Sequence, residues 1–270
     1  MEINRNNVLE IVNRSGNHPD KDYGQNFLIE PSIAEKICCP LDLSVDDYLL
    51  EVGPGLGSLT HFLCGKCSFD ACDIDKRMID FLKIIYPENI NYICEDVRKI
   101  NVKNYTKIIG NLPYNITTEL ISFFLINASL AKTMVFMCQQ EAANHIFDEG
   151  GKEYGPLSIL VHLLGSVEKV LIVKPGSFYP APKCNSLVFL WKRNVEADQN
   201  LVISTYKMCK SLFINRRKTI LNNLKNYCQD KEKAASILQK LNLSESLRPE
   251  DISPIKYLEM YKILRVDYND

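Results

Sequence analysis

The spacing of apolar and polar positions divides the chain in two. Before Arg193, short apolar runs rich in β-branched and aromatic residues predict strands at 48–52, 69–74, 91–94, 107–109, 133–138, 167–173 and 186–191. Between them, apolar residues recur three and four positions apart and predict helices at 56–64, 76–85, 117–127, 140–147 and 156–164. Near-continuous apolar strands joined by helical crossovers belong to a parallel sheet covered on both faces. A turn-rich stretch replaces the helix between the last two strands, so the final strand is expected to run antiparallel. The expected class is therefore α/β, a Rossmann-like doubly wound sheet of seven strands. After Arg193 the period is helical throughout, with helices predicted at 201–213, 217–227, 231–241 and 254–265 and no strand between them. The polar run 194–200, Asn-Val-Glu-Ala-Asp-Gln-Asn, reads as a linker. Residues 1–193 are thus expected to form the sheet domain and residues 194–270 a small all-helical one.

Composition adds a compartment and a partner class. With 270 residues, 46% of them hydrophobic, the chain can bury a substantial core. Ten cysteines without a regular framework suit a reducing compartment, and we expect the cytoplasm. Residues 1–16 carry Glu2, Arg5, Glu10 and Arg14 and no long apolar run, so neither a signal peptide nor a membrane anchor is expected. The net charge of -1 conceals an asymmetry: residues 1–173 hold 15 basic and 23 acidic side chains, residues 174–270 hold 17 and 10. A basic C-terminal part fits a polyanionic partner, and ordinary variation between solvated faces gives the same count.

Glu51-Val52-Gly53-Pro54-Gly55-Leu56-Gly57 follows the first strong strand, where glycines let the backbone turn sharply and bring N–H groups to a ligand. Asp73, twenty residues past Gly53, closes the second strand and can accept from both hydroxyls of a ribose. A dinucleotide fingerprint wants a third glycine where Ser58 stands, which counts against a pyrophosphate site. Asp96 closes the third strand, placed either to accept from an adenine amine or to cap a helix. Acids ending both strands are the layout of an adenosine-binding methyltransferase, with S-adenosyl-L-methionine as cofactor. The fold then reads as the methyltransferase version of the Rossmann plan.

Gly110-Asn111-Leu112-Pro113-Tyr114 follows the fourth strand and is the most specific segment of the chain. Adenine N6 is a poor nucleophile because its lone pair is delocalised into the ring. A site that methylates it must offer acceptors to the amino hydrogens, which the Asn111 side-chain oxygen and the Leu112 carbonyl can do. Pro113 fixes the backbone and Tyr114 offers a ring to a flipped base.

With these motifs the chain resembles the bacterial small-subunit ribosomal RNA adenine dimethyltransferases, the kasugamycin-sensitivity family. The likeness includes Tyr23-Gly24-Gln25-Asn26-Phe27-Leu28, the run from Phe178 through Tyr179-Pro180-Ala181-Pro182-Lys183-Cys184-Asn185 to Ser186, Phe213-Ile214-Asn215-Arg216-Arg217-Lys218-Thr219, and Arg248-Pro249-Glu250-Asp251-Ile252-Ser253. The resemblance implies that Asn26 and Leu28 close over the cofactor, that Gly53 and Gly55 pack under its methionine part, and that Asp73 and Asp96 hold ribose and adenine. It also implies that Asn111 serves cofactor and target, that Phe178 supplies a second aromatic opposite Tyr114, and that Lys183, Arg216, Arg217 and Lys218 touch RNA phosphates. Asp73 departs from the family, which usually has Glu there. The implied substrate is a pair of adjacent adenosines in a 3′-terminal hairpin of 16S rRNA, on naked RNA or a pre-30S particle, with a monomeric enzyme, no metal and no membrane. Two other readings stay open, an assembly checkpoint factor whose binding outweighs its catalysis and a 23S rRNA adenine methyltransferase.

Cys64-Gly65-Lys66-Cys67 has the spacing of half a zinc site without a second pair downstream, so metal is not expected. His18, His61, His145 and His162 share no spacing with a nucleophile, and the apolar stripe at 116–126 fits a core face.

Overall fold

Residues 1–16, 18–20, 24–87 and 89–266 are described by the structure, a computed structural model. Tyr23, the first residue of the opening motif, lies outside the described residues. Along the chain run α1 (Val8–Ser15), β1 (Phe27–Leu28), α2 (Pro31–Cys38), β2 (Tyr48–Val52), α3 (Thr60–Leu63), β3 (Ser68–Asp73), α4 (Lys76–Ile85), β4 (Asn91–Cys94), β5 (Lys107–Asn111), α5 (Thr117–Asn127), β6 (Thr133–Gln139), α6 (Gln140–Phe147) and α7 (Pro156–Leu164). There follow β7 (Gly165–Val173), β8 (Phe178–Tyr179), β9 (Ser186–Arg193), α8 (Gln199–Leu212), α9 (Ile220–Cys228), α10 (Lys231–Lys240) and α11 (Pro254–Val266).

Seven strands form one sheet in the order β4-β3-β2-β5-β6-β9-β7. The pairs among β2 to β6 are parallel, and β9 runs antiparallel to β6. Successive side chains alternate between the faces. Ile109, Val135 and Met137 join a cluster with Ile37 and Leu41, while Phe136 stacks on Phe124 at 5.5 Å and meets Phe189 at 5.9 Å. Strand order turns back between β2 and β5, and such a switch point leaves a crevice beyond the carboxyl ends of the strands.

Several boundaries differ from the sequence expectation for identifiable reasons. The helix predicted at 56–64 shrinks to Thr60–Leu63, because Gly53, Gly55 and Gly57 take φ of 66°, 55° and 89° and the chain winds through a loop first. The helix predicted from 217 begins at Ile220, since the Thr219 hydroxyl caps it by accepting from Asn222 N. Helices α1 and α2 and the β1–β8 pair were not expected. In α1, Val8, Ile11 and Val12 bury against Ile3, Phe27 and Met78, too few positions to stand out in a polar segment. Strands β1 and β8 are two residues each and pair antiparallel, Phe27 with Tyr179 and Leu28 with Phe178.

The chain divides into two compact units, Met1–Ala143 with Val167–Arg193, and Asn144–Ser166 with Asn194–Asp270. Helix α7 packs on α8 and α11, so residues 144–166 group with the helices although they precede a sheet strand in sequence. In this second unit Phe213 lies 6.0 Å from both the Tyr154 and the Tyr257 ring.

Gly110 marks the tightest approach in the sheet: a Cβ there would sit 2.7 Å from the Val52 carbonyl oxygen. Gly110→Ala is expected to cost about 1–3 kcal/mol through overpacking, read as a melting temperature roughly 2–10 °C lower. Gly176→Ala, with no atom within 4 Å of the added carbon, should melt like wild type.

Candidate active site

The cleft beyond β2, β3, β4 and β5 has about 1100 Å³ of empty space, including its open mouth. Parallel strands deliver their following loops to one edge. The turn after β2 brings Gly53 and Gly55, β3 ends at Asp73 and Ile74, β4 leads to Asp96, and β5 ends in Asn111 to Tyr114. The segment from Gly24 to Leu28 forms another wall, its Phe27 ring so close that a Cβ on Gly55 would meet it at 3.1 Å. Asn26, Leu28, Gly53, Gly55, Asp73, Asp96, Asn111, Leu112, Pro113 and Tyr114 all line this one cleft.

Each polar group is held by its own local structure. Asp73 Oδ1 accepts from Asp75 N at 2.9 Å and Oδ2 from Gly55 N at 3.3 Å, so the shorter acid braces the glycine turn while keeping lone pairs for a ligand. Burial raises its pKa to about 6, against the pull of those N–H groups. Asp96 caps a short 3₁₀ turn by accepting from Arg98 N, and the Arg98 guanidinium also grips it, Nε lying 2.9 Å from Oδ1. Of the two uses foreseen for Asp96 the cap is thus in place, and the Arg98 hydrogen bonds hold its pKa below the usual range. Arg98 Nη1 reaches on to Glu119 Oε1 at 2.7 Å.

Asn111 Nδ2 donates to the Asn26 carbonyl at 3.1 Å, which leaves its Oδ1 to accept. Leu112 N donates to the Met137 carbonyl at 2.9 Å, and the Pro113 carbonyl accepts from Thr117 Oγ1 at 3.0 Å. The Tyr114 hydroxyl shares a hydrogen bond of 3.0 Å with Ser186 Oγ at the start of β9, a bracing role for Ser186 that its motif did not reveal.

Two groups are placed otherwise than the sequence suggested. Phe178 is 3% exposed and belongs to a core cluster with Leu28, Val173 and Val188, because its partner in the β1–β8 pair directs it there. It does not line the cleft. The basic cluster is a turn, not a helix face, and its members differ. Arg217 and Lys218 are exposed, while Arg216 Nη2 donates to the Gly151 carbonyl at 3.3 Å and its Nε lies 3.8 Å from Glu250. The buried Asn223 amide donates to the carbonyls of Asn215, Lys218 and Thr219 at 3.1–3.2 Å and so pins the turn. Lys183 is exposed and does not line the cleft.

Sequence reasoning assigned no role to Glu51, Ile74 or Gln25, which also line the cleft. An acid inside the apolar strand Tyr-Leu-Leu-Glu-Val was the available signal for Glu51. It is 1% exposed, its Oε2 accepts from Thr60 Oγ1 at 2.7 Å, and its Oε1 has no partner among the described residues. Ile74 is 53% exposed, an apolar surface beside the ribose acid that suits the flat face of a base. Unpaired acid at the glycine turn disfavours a pyrophosphate and favours a cationic group. Among the described residues no group of three His, Cys, Asp or Glu is placed to hold a metal.

Residues 16–265 match the family described as ribosomal RNA adenine dimethylase. A ribosomal RNA small subunit methyltransferase A of Mycoplasma mobile is 37% identical over 257 residues, covering 92% of this chain and 98% of that protein. The protein of that name in Malacoplasma penetrans is 32% identical over 261 residues, 94% and 95% of the two chains. Among solved structures, a dimethyladenosine transferase from Plasmodium falciparum superposes with a TM-score of 0.77 at 27% identity, over 90% of this chain and 98% of that one. A 23S rRNA methyltransferase gives 0.70 at 22% identity over 89% and 100%, a likeness of fold alone.

Burial raises the Glu51 pKa from 4.5 to about 8. The folded protein therefore keeps a proton that the unfolded chain releases from about pH 4.5 upward, and this contribution to stability is lost as pH rises through 8. Glu51→Gln is expected to melt close to wild type near pH 4.5 and increasingly above it toward pH 8.5, by an amount on the order of a few kcal/mol. Thermal melts of the free proteins across that range check this; a constant difference would show that Glu51 titrates normally.

Proposed function

The chain belongs to the ribosomal RNA adenine dimethylase family, and from that premise we propose that it methylates N6 of two adjacent adenosines in a 3′-terminal hairpin of 16S rRNA. The donor is S-adenosyl-L-methionine and the product N6,N6-dimethyladenosine, made during small-subunit biogenesis. The observation that carries this reading is one cleft lined both by the Asn111-to-Tyr114 loop and by the acids Asp73 and Asp96.

The residues suit that cofactor. Asp73 has acceptors for ribose hydroxyls and Asp96 for the adenine amine, with Ile74 and Val97 as apolar surface beside them. Asn26 and Leu28 close the wall over it, Gly53 and Gly55 admit its methionine part, and the unpartnered Glu51 oxygen fits its cationic end. S-adenosyl-L-methionine, when bound, supplies an electrophilic methyl group on a sulfonium. The protein's part is alignment and exclusion of water, which need no nucleophilic side chain. The Asn111 Oδ1 and the Leu112 carbonyl accept from the N6 hydrogens and turn the nitrogen lone pair toward the methyl. Pro113 stiffens that loop, and Tyr114, braced by Ser186, stacks on the flipped base. Arg217, Lys218 and Lys183 contact RNA phosphates, while Arg216 shapes the turn.

We place the reaction in the cytoplasm, with a monomer acting on small-subunit RNA or a pre-30S particle. No helix among the described residues is long and apolar enough to cross a membrane. The relatives' names, ribosomal RNA small subunit methyltransferase A, favour this reading over a 23S rRNA enzyme or a factor that acts chiefly by binding.

Unmethylated small subunits incubated with methyl-labelled cofactor should yield labelled N6,N6-dimethyladenosine on digestion; label confined to 23S rRNA in a parallel reaction would overturn the assignment. Asn111→Ala should slow single-turnover methylation by roughly 10²–10³-fold at saturating cofactor, the scale for losing one placed polar group. Neutralising Arg217 and Lys218 should weaken RNA binding and reduce its log–log salt slope by about 1.5, at roughly 0.7–0.9 for each phosphate that no longer meets a cation. An unchanged slope would show that the turn does not touch RNA.

A further inference from the structure

Beyond the β1–β8 pairing and the Ser58 hydroxyl that donates to the Leu28 carbonyl, the wall formed by residues 24–28 is held near its start at two further points, one of them by Gln25, to which the proposed chemistry gives no task. At the ribose side, Gln25 Nε2 donates to Asp75 Oδ2 at 2.9 Å and Gln25 Oε1 accepts from Asp20 N at 2.9 Å. Asp75 is 4% exposed and carries several bonds at once. Its Oδ1 caps α4 by accepting from Arg77 N at 3.0 Å, the Arg77 guanidinium donates to both oxygens at 3.0 and 2.7 Å, and its own N–H donates to Asp73 Oδ1. At the other side, one residue after Gln25, the Asn26 carbonyl accepts from Asn111 Nδ2. A path thus runs by hydrogen bonds from Asp73 through Asp75 to Gln25, along the backbone to Asn26, and by a hydrogen bond again to Asn111.

The chemistry of each link gives the path a direction. A carboxamide can present either its oxygen or its nitrogen to a neighbour, and only the partner decides which. A backbone carbonyl accepts and never donates, so the Asn26 carbonyl selects the Asn111 nitrogen and turns Oδ1 the other way. That choice holds only while the Asn26 carbonyl stays in place, which the adjacent Gln25 secures. Gln25 needs one donor, for an Asp75 carboxylate that Arg77 keeps charged, and one acceptor, for Asp20 N; a carboxamide supplies both on one planar group.

We infer that Gln25 and Asp75 are positioning residues: their hydrogen bond fixes residues 24–28 along the cleft and, through the Asn26 carbonyl, orients the Asn111 amide for the target adenine. This rests on the methyltransferase reading of the site and adds that the opening motif acts on the chemical step as well as on cofactor binding.

Gln25→Glu sets two carboxylates against each other while Asp75 keeps its bonds to Arg77 and its cap on α4. Three quantities are measured: affinity for S-adenosylhomocysteine by calorimetry, single-turnover methylation of unmethylated small subunits at saturating cofactor, and melting temperature. Gln25→Glu should lose about tenfold or more in affinity and in saturated rate, equivalent to about 1.4 kcal/mol each. Gln25→Ala, which removes the anchor without repulsion, should show the same loss of saturated rate and keeps the test readable if the charged variant is unstable. A purely structural role would lower the melting temperature and leave the saturated rate alone. A wild-type saturated rate in Gln25→Ala overturns the inference while wild-type binding of S-adenosylhomocysteine upholds the site. Wild-type protein that binds none of it overturns the reading of the site and the inference together.

Discussion

Parallel pairing sets the level at which each strand stops, and the cleft exists because β2, β3, β4 and β5 stop together. Val52 lies opposite Cys72 on one side and Gly110 on the other, and Asp73 lies opposite Cys94. The next residues along each strand are those that line the cleft. A slip of one position would turn Asp73 or Asn111 to the other face and send the apolar set outward. The absent side chain at Gly110, where β5 meets the Val52 carbonyl, is part of what fixes that level.

Having met at one edge, the polar groups sit in surroundings that tax their charge unequally. Glu51 and Asp73 are buried and have their pKa values raised, whereas Asp96 is held low by Arg98. The glycine turn is thus flanked by acids that become more fully ionised once a cation lies beside them, and the Asp96 side of the cleft keeps a charged acceptor throughout. The contrast comes from burial and from one arginine, with no metal needed to create it.

Most of the sheet could be read from the chain because its signals are local. The bounds of α4, α5, α6 and α7 and of β2 and β4 follow directly from apolar spacing, β3 is shifted by one residue, and the other sheet strands extend by one or two residues at an end. What stayed hidden depends on partners distant in sequence. The β1–β8 pair is too short to show a period, so nothing local told Phe178 from an exposed aromatic. Arg216, Arg217 and Lys218 look alike in sequence, yet Glu250 and the Gly151 carbonyl engage only the first. Glu51 was legible as an acid in an apolar strand; its unpartnered oxygen was not. Thr219 was a readable helix cap whose effect was missed, and it moved the basic residues off the helix.

The same β1–β8 pair also orders events in time. Leu28 is paired with Phe178, 150 residues later, so the wall that flanks the cleft is among the first segments synthesised yet is secured only after a long stretch of chain has followed it. A ribosome making this chain must expose the long stretch between them before the cleft can close. A nascent chain lacking residues beyond 178 would carry the acids, the glycine turn and the Asn111 loop without their fastened wall. Closure of that wall therefore waits until residue 179 of 270 has been made, however early its own residues leave the ribosome.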